Sequence, residues 1–116
     1  MSYDVFLSKK MMDIKTKETE FQAVDSFHYT SNLCQFFRRF FDGDQGLFEL
    51  NDLSGDEIKL AIDKFYDNLD KEDLAKVKQQ YDPSNEWGSV EGALKFLDSI
   101  RETARKNPSV VCFVHC

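Results

Sequence analysis

The fold depends on residues 82–89, which read Asp82-Pro83-Ser84-Asn85-Glu86-Trp87-Gly88-Ser89. Pro83 has no backbone N–H to donate and disfavours helical backbone at the residue before it, so a helix that reaches this point ends. Ser89 has a hydroxyl that can accept a hydrogen bond from the first turn of a following helix. The stretch therefore predicts a break between two helices. It also contains the only tryptophan, Trp87, which we expect to pack the helix after the break onto the domain.

Apolar residues recur at helical spacing on both sides of this break. The preceding segment would turn Leu74, Val77 and Tyr81 toward the core. The following segment has a longer apolar stripe, formed by Val90, Ala93, Leu94, Leu97, Ile100 and Ala104. Asn107-Pro108 would end that helix. The sequence thus predicts one short and one long helix around the break.

Two further helices are predicted upstream. Ser54 and Glu57 have the spacing of a capping box, in which each side chain bonds the backbone N–H of the other residue. The helix that begins there would bury Ile58, Ala61, Ile62, Phe65 and Leu69. An earlier helix, capped by Thr30 or Ser31, would bury Leu33, Phe36, Phe37, Phe40 and Phe41. The glycines of residues 42–46 would end it.

Strand patterns lie at the two ends of the chain. Residues 3–7 form a short β-prone run, and residues 20–24 alternate weakly, as a second strand would. Residues 9–20 predict a loop or the tip of a hairpin. Residues 110–114 are apolar on both faces, which predicts a central strand. The expected fold is α+β: a small, mainly antiparallel sheet of the N- and C-terminal strands, with residues 20–24 as a candidate third, packed against about four helices.

Length and composition indicate one domain, residues 1–116, with a dense aromatic core, since 41% of the residues are hydrophobic and 11 are phenylalanine. No apolar run approaches the roughly 20 residues that cross a bilayer, and no signal-peptide pattern is present, so we expect a cytoplasmic protein without a membrane partner. Three cysteines without paired spacing argue against a disulfide framework or structural zinc. Cys34 and Cys112 lie in apolar patterns and should be buried, whereas Cys116 should be exposed.

Negative charge is concentrated in the middle of the chain. The net charge is -6, but residues 42–91 hold 14 acids and only five lysines. A field of that sign repels phosphate backbones and disfavours direct nucleic-acid binding, and Arg38-Arg39 is interpreted as part of a solvated helix face. Carboxylates on the predicted second and third helices would form an acidic face for a basic protein surface. They are Asp63, Asp67, Asp70, Glu72 and Asp73.

Patterns that would indicate catalysis or metal binding are incomplete. Residues 42–46 place carboxylates around glycines, but a calcium loop needs glycine and glutamate where this chain has Leu47 and Leu53. His28 and His115 lack the close pairing with other ligands that zinc sites use. No nucleophile and base have a recognisable motif. The sequence therefore predicts no catalytic residue, no metal and no cofactor.

Two stretches stand out as helix starts: Phe27-His28-Tyr29-Thr30-Ser31-Asn32-Leu33 and Asn85-Glu86-Trp87-Gly88-Ser89-Val90-Glu91-Gly92-Ala93-Leu94. Together with residues 3–7, they resemble a diffuse family of small uncharacterised proteins carried by phages, prophages and their bacterial hosts. The shared elements are a Thr-Ser-Asn helix start and an aromatic-Gly-x-x-x-Gly helix start, here Trp87, Gly88 and Gly92. The resemblance implies a mobile-element setting and supplies no catalytic residue.

Three functional hypotheses follow. The leading one is a non-enzymatic, acidic protein-interaction module that binds a basic protein surface, such as one in a host defence or nucleic-acid-processing complex. The alternative is a small ligand-binding domain or enzyme with its site at the two helix starts, formed by His28, Tyr29, Asn32, Asn85 and Trp87. A third hypothesis is a structural homo-oligomer, formed through an exposed sheet edge.

Overall fold

The computed structural model describes residues 2–12 and 14–116. Within them, one antiparallel sheet contains β1 (Ser2–Met12), β2 (Thr19–Thr30) and β3 (Val111–His115), in the spatial order β2-β1-β3. The described chain also forms four α-helices and two short 3-10 helices. They are α1 (Cys34–Phe40), α2 (Gly55–Leu69), α3 (Leu74–Tyr81) and α4 (Val90–Lys106), with the 3-10 helices Ser31–Leu33 and Gly46–Leu50. The predicted α+β class is confirmed.

The predicted caps start the two longest helices. Ser54 Oγ accepts a hydrogen bond from the Glu57 N–H at 3.3 Å, and Glu57 Oε1 accepts one from the Ser54 N–H at 3.1 Å, which completes the capping box of α2. Ser89 Oγ accepts from the Gly92 N–H at 2.9 Å and caps α4. Thr30 caps the 3-10 helix that precedes α1. Local sequence therefore determines where these helices begin.

Phenylalanines fill the layer between the helices and the inner face of the sheet. Tyr3 and Leu7 lie on that face of β1 and are buried. Phe65 of α2 lies in the same core, with its ring centroid 4.7 Å from that of Phe41 and 5.4 Å from that of Phe36. Tilted and edge-to-face pairs of this kind add to the stabilisation that apolar burial provides. The prediction of an aromatic core built on α1 and α2 is confirmed.

The C-terminal strand is an edge strand, so the prediction that it lies in the middle of the sheet is wrong. β1 occupies the centre and pairs with β2 on one side and β3 on the other. The apolar run of β3 has a different cause, because each of its faces meets apolar side chains. Cys112 and Val114 are buried in the core, whereas Phe113 packs on the outer face against Phe21, with ring centroids 5.1 Å apart.

β1 and β2 form a long hairpin, which is one of the two structures predicted for residues 9–20. β1 continues to Met12, which pairs with Thr19, the first residue of β2. One register shift after Leu7 leaves an extra residue in β2, as in a β-bulge. Every described residue from 9 to 26 is exposed, so neither face of these strands needs to be apolar. The full length of the strands is therefore not visible as an alternating pattern in the sequence.

Individual side chains also differ from expectation. Leu74, predicted to face the core, is 43% exposed at the first position of α3, where Val77 is the residue that buries its side chain. Cys34 is half-buried because it lies at the start of α1, at the margin of the core. Cys112 is buried as expected, and burial raises the pKa of its thiol to about 12. Phe96 of α4 is buried although the predicted stripe omits it.

Candidate functional site

The loop between α3 and α4 has a defined backbone. Asp82 Oδ1 accepts a hydrogen bond from the Val90 N–H at 2.8 Å, which ties the two ends of the loop together. Within it, the Trp87 N–H donates to Asn85 Oδ1 at 3.1 Å. Glu86 has a φ of 61°, in the left-handed region that costs about 1 kcal/mol or more for a residue with a side chain. These bonds hold the loop in one conformation around Trp87.

The same loop docks against the end of β2 and the 3-10 helix that follows it. Tyr29 bonds Ser89 twice: its hydroxyl donates to the Ser89 carbonyl at 3.1 Å and accepts from the Ser89 N–H at 2.9 Å. Asn32 Nδ2 donates to the Trp87 carbonyl at 3.3 Å. A Cβ at Gly88 would overlap Thr30, so this backbone contact requires glycine. The two helix starts therefore form one interface.

Gly92, in the first turn of α4, completes this interface. A Cβ at that position would overlap the hydroxyl of Tyr29. Tyr29 is held from its other side by Phe96, whose ring stacks on it with centroids 5.4 Å apart. The Trp-Gly-x-x-x-Gly spacing thus has a structural reason in this chain: the two glycines leave room for the end of β2.

Trp87 itself does not pack α4 onto the domain, so that prediction is wrong. Its side chain is 71% exposed. The backbone of residue 87 and its neighbours hold the loop, while the indole projects into solvent. A sequence signal for this exists, because Trp87 lies after α3 has ended at Tyr81 and before α4 begins at Val90, outside both apolar stripes.

A shallow surface groove of about 430 Å³ runs beside the indole. It is lined by Ser2, Thr30, Asn32, Asn85 and Trp87. Three of the five residues predicted to bind a ligand are thus brought together. The lining offers hydroxyls, amides and one aromatic ring, and it contains no titratable side chain. Such a surface suits hydrogen bonding and stacking rather than acid–base chemistry.

The other two predicted ligand-binding residues do not line this groove. Tyr29 is half-buried, and its hydroxyl is occupied by the two bonds to Ser89. His28 lies at the end of β2, with its Nδ1 2.5 Å from Asp4 Oδ1 and its ring against Phe6. His28 is therefore part of the outer sheet face.

The predicted acidic face is divided by internal ion pairs. Asp63 Oδ2 lies 2.6 Å from Lys59 Nζ, and its Oδ1 lies 3.1 Å from Arg101 on α4. The hydrogen bond from Lys59 is the main cause that lowers the pKa of Asp63; burial opposes it, and the hydrogen bond from Arg101 adds to the lowering. Asp63 therefore joins α2 to α4 and is not a free charge.

Two more of the predicted acids serve the fold. Glu72 Oε1 lies 2.6 Å from Arg39 Nη2, which links the start of α3 to α1. Asp73 caps α3 by accepting a hydrogen bond from the Ala75 N–H at 3.0 Å. Asp67 and Asp70 are exposed, and neither side chain has a hydrogen bond or ion pair to another described residue. Only these last two are available to a partner without breaking an internal contact.

Groups with the chemistry of catalysis do not cluster in the described part of the chain. No group of three or more His, Cys, Asp or Glu side chains there is arranged to hold a metal ion. Tyr66 has a raised pKa because it is largely buried and its hydroxyl bonds Asp98, but this contact joins α2 to α4. The groups with strongly raised pKa values, Tyr3, Tyr66 and Cys112, thus belong to the packing of the fold and do not line the groove beside Trp87.

Comparison with protein-family models, curated proteins and solved structures found no match. Among the described residues, none of the helices combines the length and apolar character required to cross a lipid bilayer. The class that the structure defines is a small α+β domain with a three-stranded antiparallel sheet.

Proposed function

We propose that this protein is a non-enzymatic interaction module that binds a basic protein surface, with Trp87 as its anchor. The observation that carries the proposal is the 71% exposure of an indole on a loop fixed at both ends. Tryptophan offers a large apolar area and is enriched among the residues that dominate binding energy. Because the loop backbone is already ordered, binding through it would lose little conformational entropy.

The charge of the protein supports a basic partner. Asp67 and Asp70 are exposed without internal partners, and Glu86 lies next to the indole in the same loop. A net charge of -6 favours approach of a positively charged surface and mainly raises the association rate. The phage-like resemblance supports a partner that belongs to a host defence or nucleic-acid-processing complex.

Affinity capture from a bacterial host lysate tests this proposal, with bound proteins quantified for the wild type and Trp87→Ala. We expect Trp87→Ala to reduce recovery of the specific partner at least about tenfold, as loss of an anchor does. The matched control is Leu60→Ala, because Leu60 on α2 is 66% exposed and should be dispensable. Equal recovery by the wild type and Trp87→Ala would refute the anchor.

Charge reversal separates the contribution of the acids. Asp67→Lys with Asp70→Lys should reduce recovery at low salt and have little effect at high salt, because salt screens exposed charges. Glu18→Lys with Glu20→Lys makes the same change in net charge on the hairpin and serves as the control. If both double variants behave alike, no local acidic surface is involved.

A second candidate function is favoured by the groove beside Trp87. Two asparagine amides and a hydroxyl next to an indole could bind a flat polar ligand such as a sugar or a nucleobase. Trp87 is the only tryptophan, so its fluorescence reports on this groove alone. Saturable quenching by a ligand, abolished by Asn32→Ala with Asn85→Ala, would favour this function over protein binding.

A further inference from the structure

Three phenylalanine rings lie on the face of the sheet that is turned away from the helices. Phe6 of β1 pairs in register with Phe113 of β3. The ring of Phe21 on β2 meets that of Phe113 edge to face, with an interplanar angle of 84°. Phe21 is 51% exposed, and Phe6 and Phe113 are half-buried. An aromatic cluster of this kind on an otherwise uncovered sheet indicates a contact surface.

Charges of opposite sign lie at the two ends of this cluster. Alternation along β1 places Asp4, Phe6 and Lys10 on one face, because successive side chains of a strand point to opposite sides. Asp4 lies opposite His28 and His115 in the register at one end, and its Oδ1 bonds His28 Nδ1, so Oδ2 is the oxygen left for a further partner. Lys10 pairs with Phe21 at the other. On the outer face, the aromatic cluster therefore lies between an acidic residue, Asp4, and a basic residue, Lys10, which are both on β1.

Small side chains lie beside the rings on this face. Ser26 lies opposite Phe6 in the register, and Ala23 lies opposite Ser8. Each is on β2 and has the outward orientation of its partner on β1. Small side chains thus lie beside large rings on this face, a combination that lets the side chains of two packed sheets interdigitate.

We propose that the outer face is the interface of a homodimer in which two sheets pack face to face. The two-fold axis lies in the plane of the interface, perpendicular to β1 and level with Leu7. Residue 4 of one copy therefore faces residue 10 of the other. Asp4 of one copy then lies against Lys10 of the other, at both ends of the interface, with the phenylalanines between them. A second copy is the occupant whose charges and rings this arrangement fits, because a symmetric interface must complement itself.

The oligomeric state of the purified full chain tests the proposal. Sedimentation equilibrium over a range of concentrations should show a species of twice the 13.5 kDa chain mass. Phe21→Ser should dissociate it, since it removes the most exposed ring of the cluster, which packs against Phe113. Leu60→Ser, the same kind of change at a similarly exposed site on α2, should leave the dimer intact. A monomer at every concentration overturns the proposal, and so does a dimer that Phe21→Ser leaves unchanged.

A charge exchange tests the orientation of the two copies. Lys10→Glu should weaken the dimer about tenfold, because two like-charge pairs replace two favourable ones. Lys9→Glu makes the same change on the opposite face of the hairpin and should have little effect. Asp4→Lys combined with Lys10→Glu should recover most of the affinity that Lys10→Glu loses, because the opposite charges face each other again, although the bond from Asp4 to His28 is lost.

Failure of the double variant to recover affinity overturns the arrangement, as does equal weakening by Lys9→Glu and Lys10→Glu. Circular dichroism and thermal unfolding of each variant establish that it is folded. Should Phe21→Ser not fold, the contrast between Lys9→Glu and Lys10→Glu decides the matter, because both lysines are exposed and outside the core.

Discussion

The phenylalanine cluster beneath the sheet and the Trp87 loop use aromatic residues in opposite ways. In the cluster, Phe65 is fully buried and its ring contacts make the packing. In the loop, the backbone and polar side chains make the packing, and the one ring is 71% exposed. The size of an aromatic residue therefore does not indicate whether its side chain stabilises the fold. Its position inside or outside the apolar stripe of a helix is the better indicator.

The largest effect should come from the cluster. Phe65→Ala should lower the free energy of unfolding by about 3–5 kcal/mol, because it leaves a cavity where several rings meet. Chemical denaturation monitored by circular dichroism measures this loss. The control is Phe48→Ala, at a side chain that is 39% exposed, where the loss should be much smaller. Similar losses for both variants would mean that the cluster is not the centre of stability.

The polar bonds that hold the loop should come next. Tyr29→Phe removes the hydroxyl that bonds Ser89 twice and should lower the free energy of unfolding by about 1–3 kcal/mol. Tyr3→Phe is the matched control: its ring is buried in the core, but its hydroxyl has no hydrogen bond to another described residue. We expect Tyr3→Phe to change stability by less than about 0.5 kcal/mol. Equal effects would show that the ring of Tyr29, and not its hydroxyl, anchors the loop.

The ion pairs between α2 and α4 should contribute less to the free energy of unfolding than the phenylalanine cluster or the bonds of the Trp87 loop. Their contribution should also depend on pH. The pKa of Asp63 is lowered in the folded state, so its contribution is present above the unfolded value of about 3.9 and is lost as the pH falls through the folded value. Asp63→Asn should lower stability by about 0.5–1 kcal/mol at pH 7, a magnitude that allows for exposure of the pair.

Denaturation of the wild type and Asp63→Asn at pH 7 and at pH 2 tests this. The gap between the two proteins should be smaller at pH 2, because the charge of the Asp63 carboxylate is progressively lost as the pH falls through its lowered pKa. Asp67→Asn, at an acid without an internal partner, should produce no such gap at either pH. A gap for Asp63→Asn that persists at pH 2 would assign its effect to packing and not to charge.

The smallest effect on stability should come from Trp87 itself. Trp87→Ala should change the free energy of unfolding by less than about 0.5 kcal/mol, because the side chain has little buried surface to lose. Intrinsic tryptophan fluorescence disappears in this variant, so circular dichroism must follow the transition. A loss of several kcal/mol would show that the indole packs in solution and would remove the basis of the proposed anchor.

Sequence reasoning succeeded where local rules determine the structure. The capping box of α2, the Ser89 cap of α4, the proline break and the apolar stripes predict where α2 and α4 begin and which sides they bury, because these depend on residues a few positions apart. It failed for β3, because an apolar run is the same whether a strand is central or lies at an edge with an aromatic outer face. For the hairpin it left a loop and a hairpin tip open and predicted strands shorter than the observed ones, because exposed strands carry no alternating pattern.

The candidate site divides in the same way. Asn32, Asn85 and Trp87 could be chosen from the sequence as polar and aromatic residues at helix starts, and they do line one groove. His28 could not be separated from them, because alternation along β2 turns it toward Asp4 on the outer face. The acids of α2 and α3 could be counted, but not sorted into paired and free ones, since their partners come from distant segments such as Arg101.

By itself, the sequence determined the fold class, the break at residues 82–89 and the starts of the helices, because caps, proline and periodicity act over one or two turns of backbone. The strand order, the exposure of Trp87 and the ion pair between Asp63 and Arg101 arise only in the folded chain. Each of these depends on which distant segments meet. A contact between residues 30 or more positions apart leaves no trace in local spacing, so the surfaces available for binding emerge only once the chain is folded.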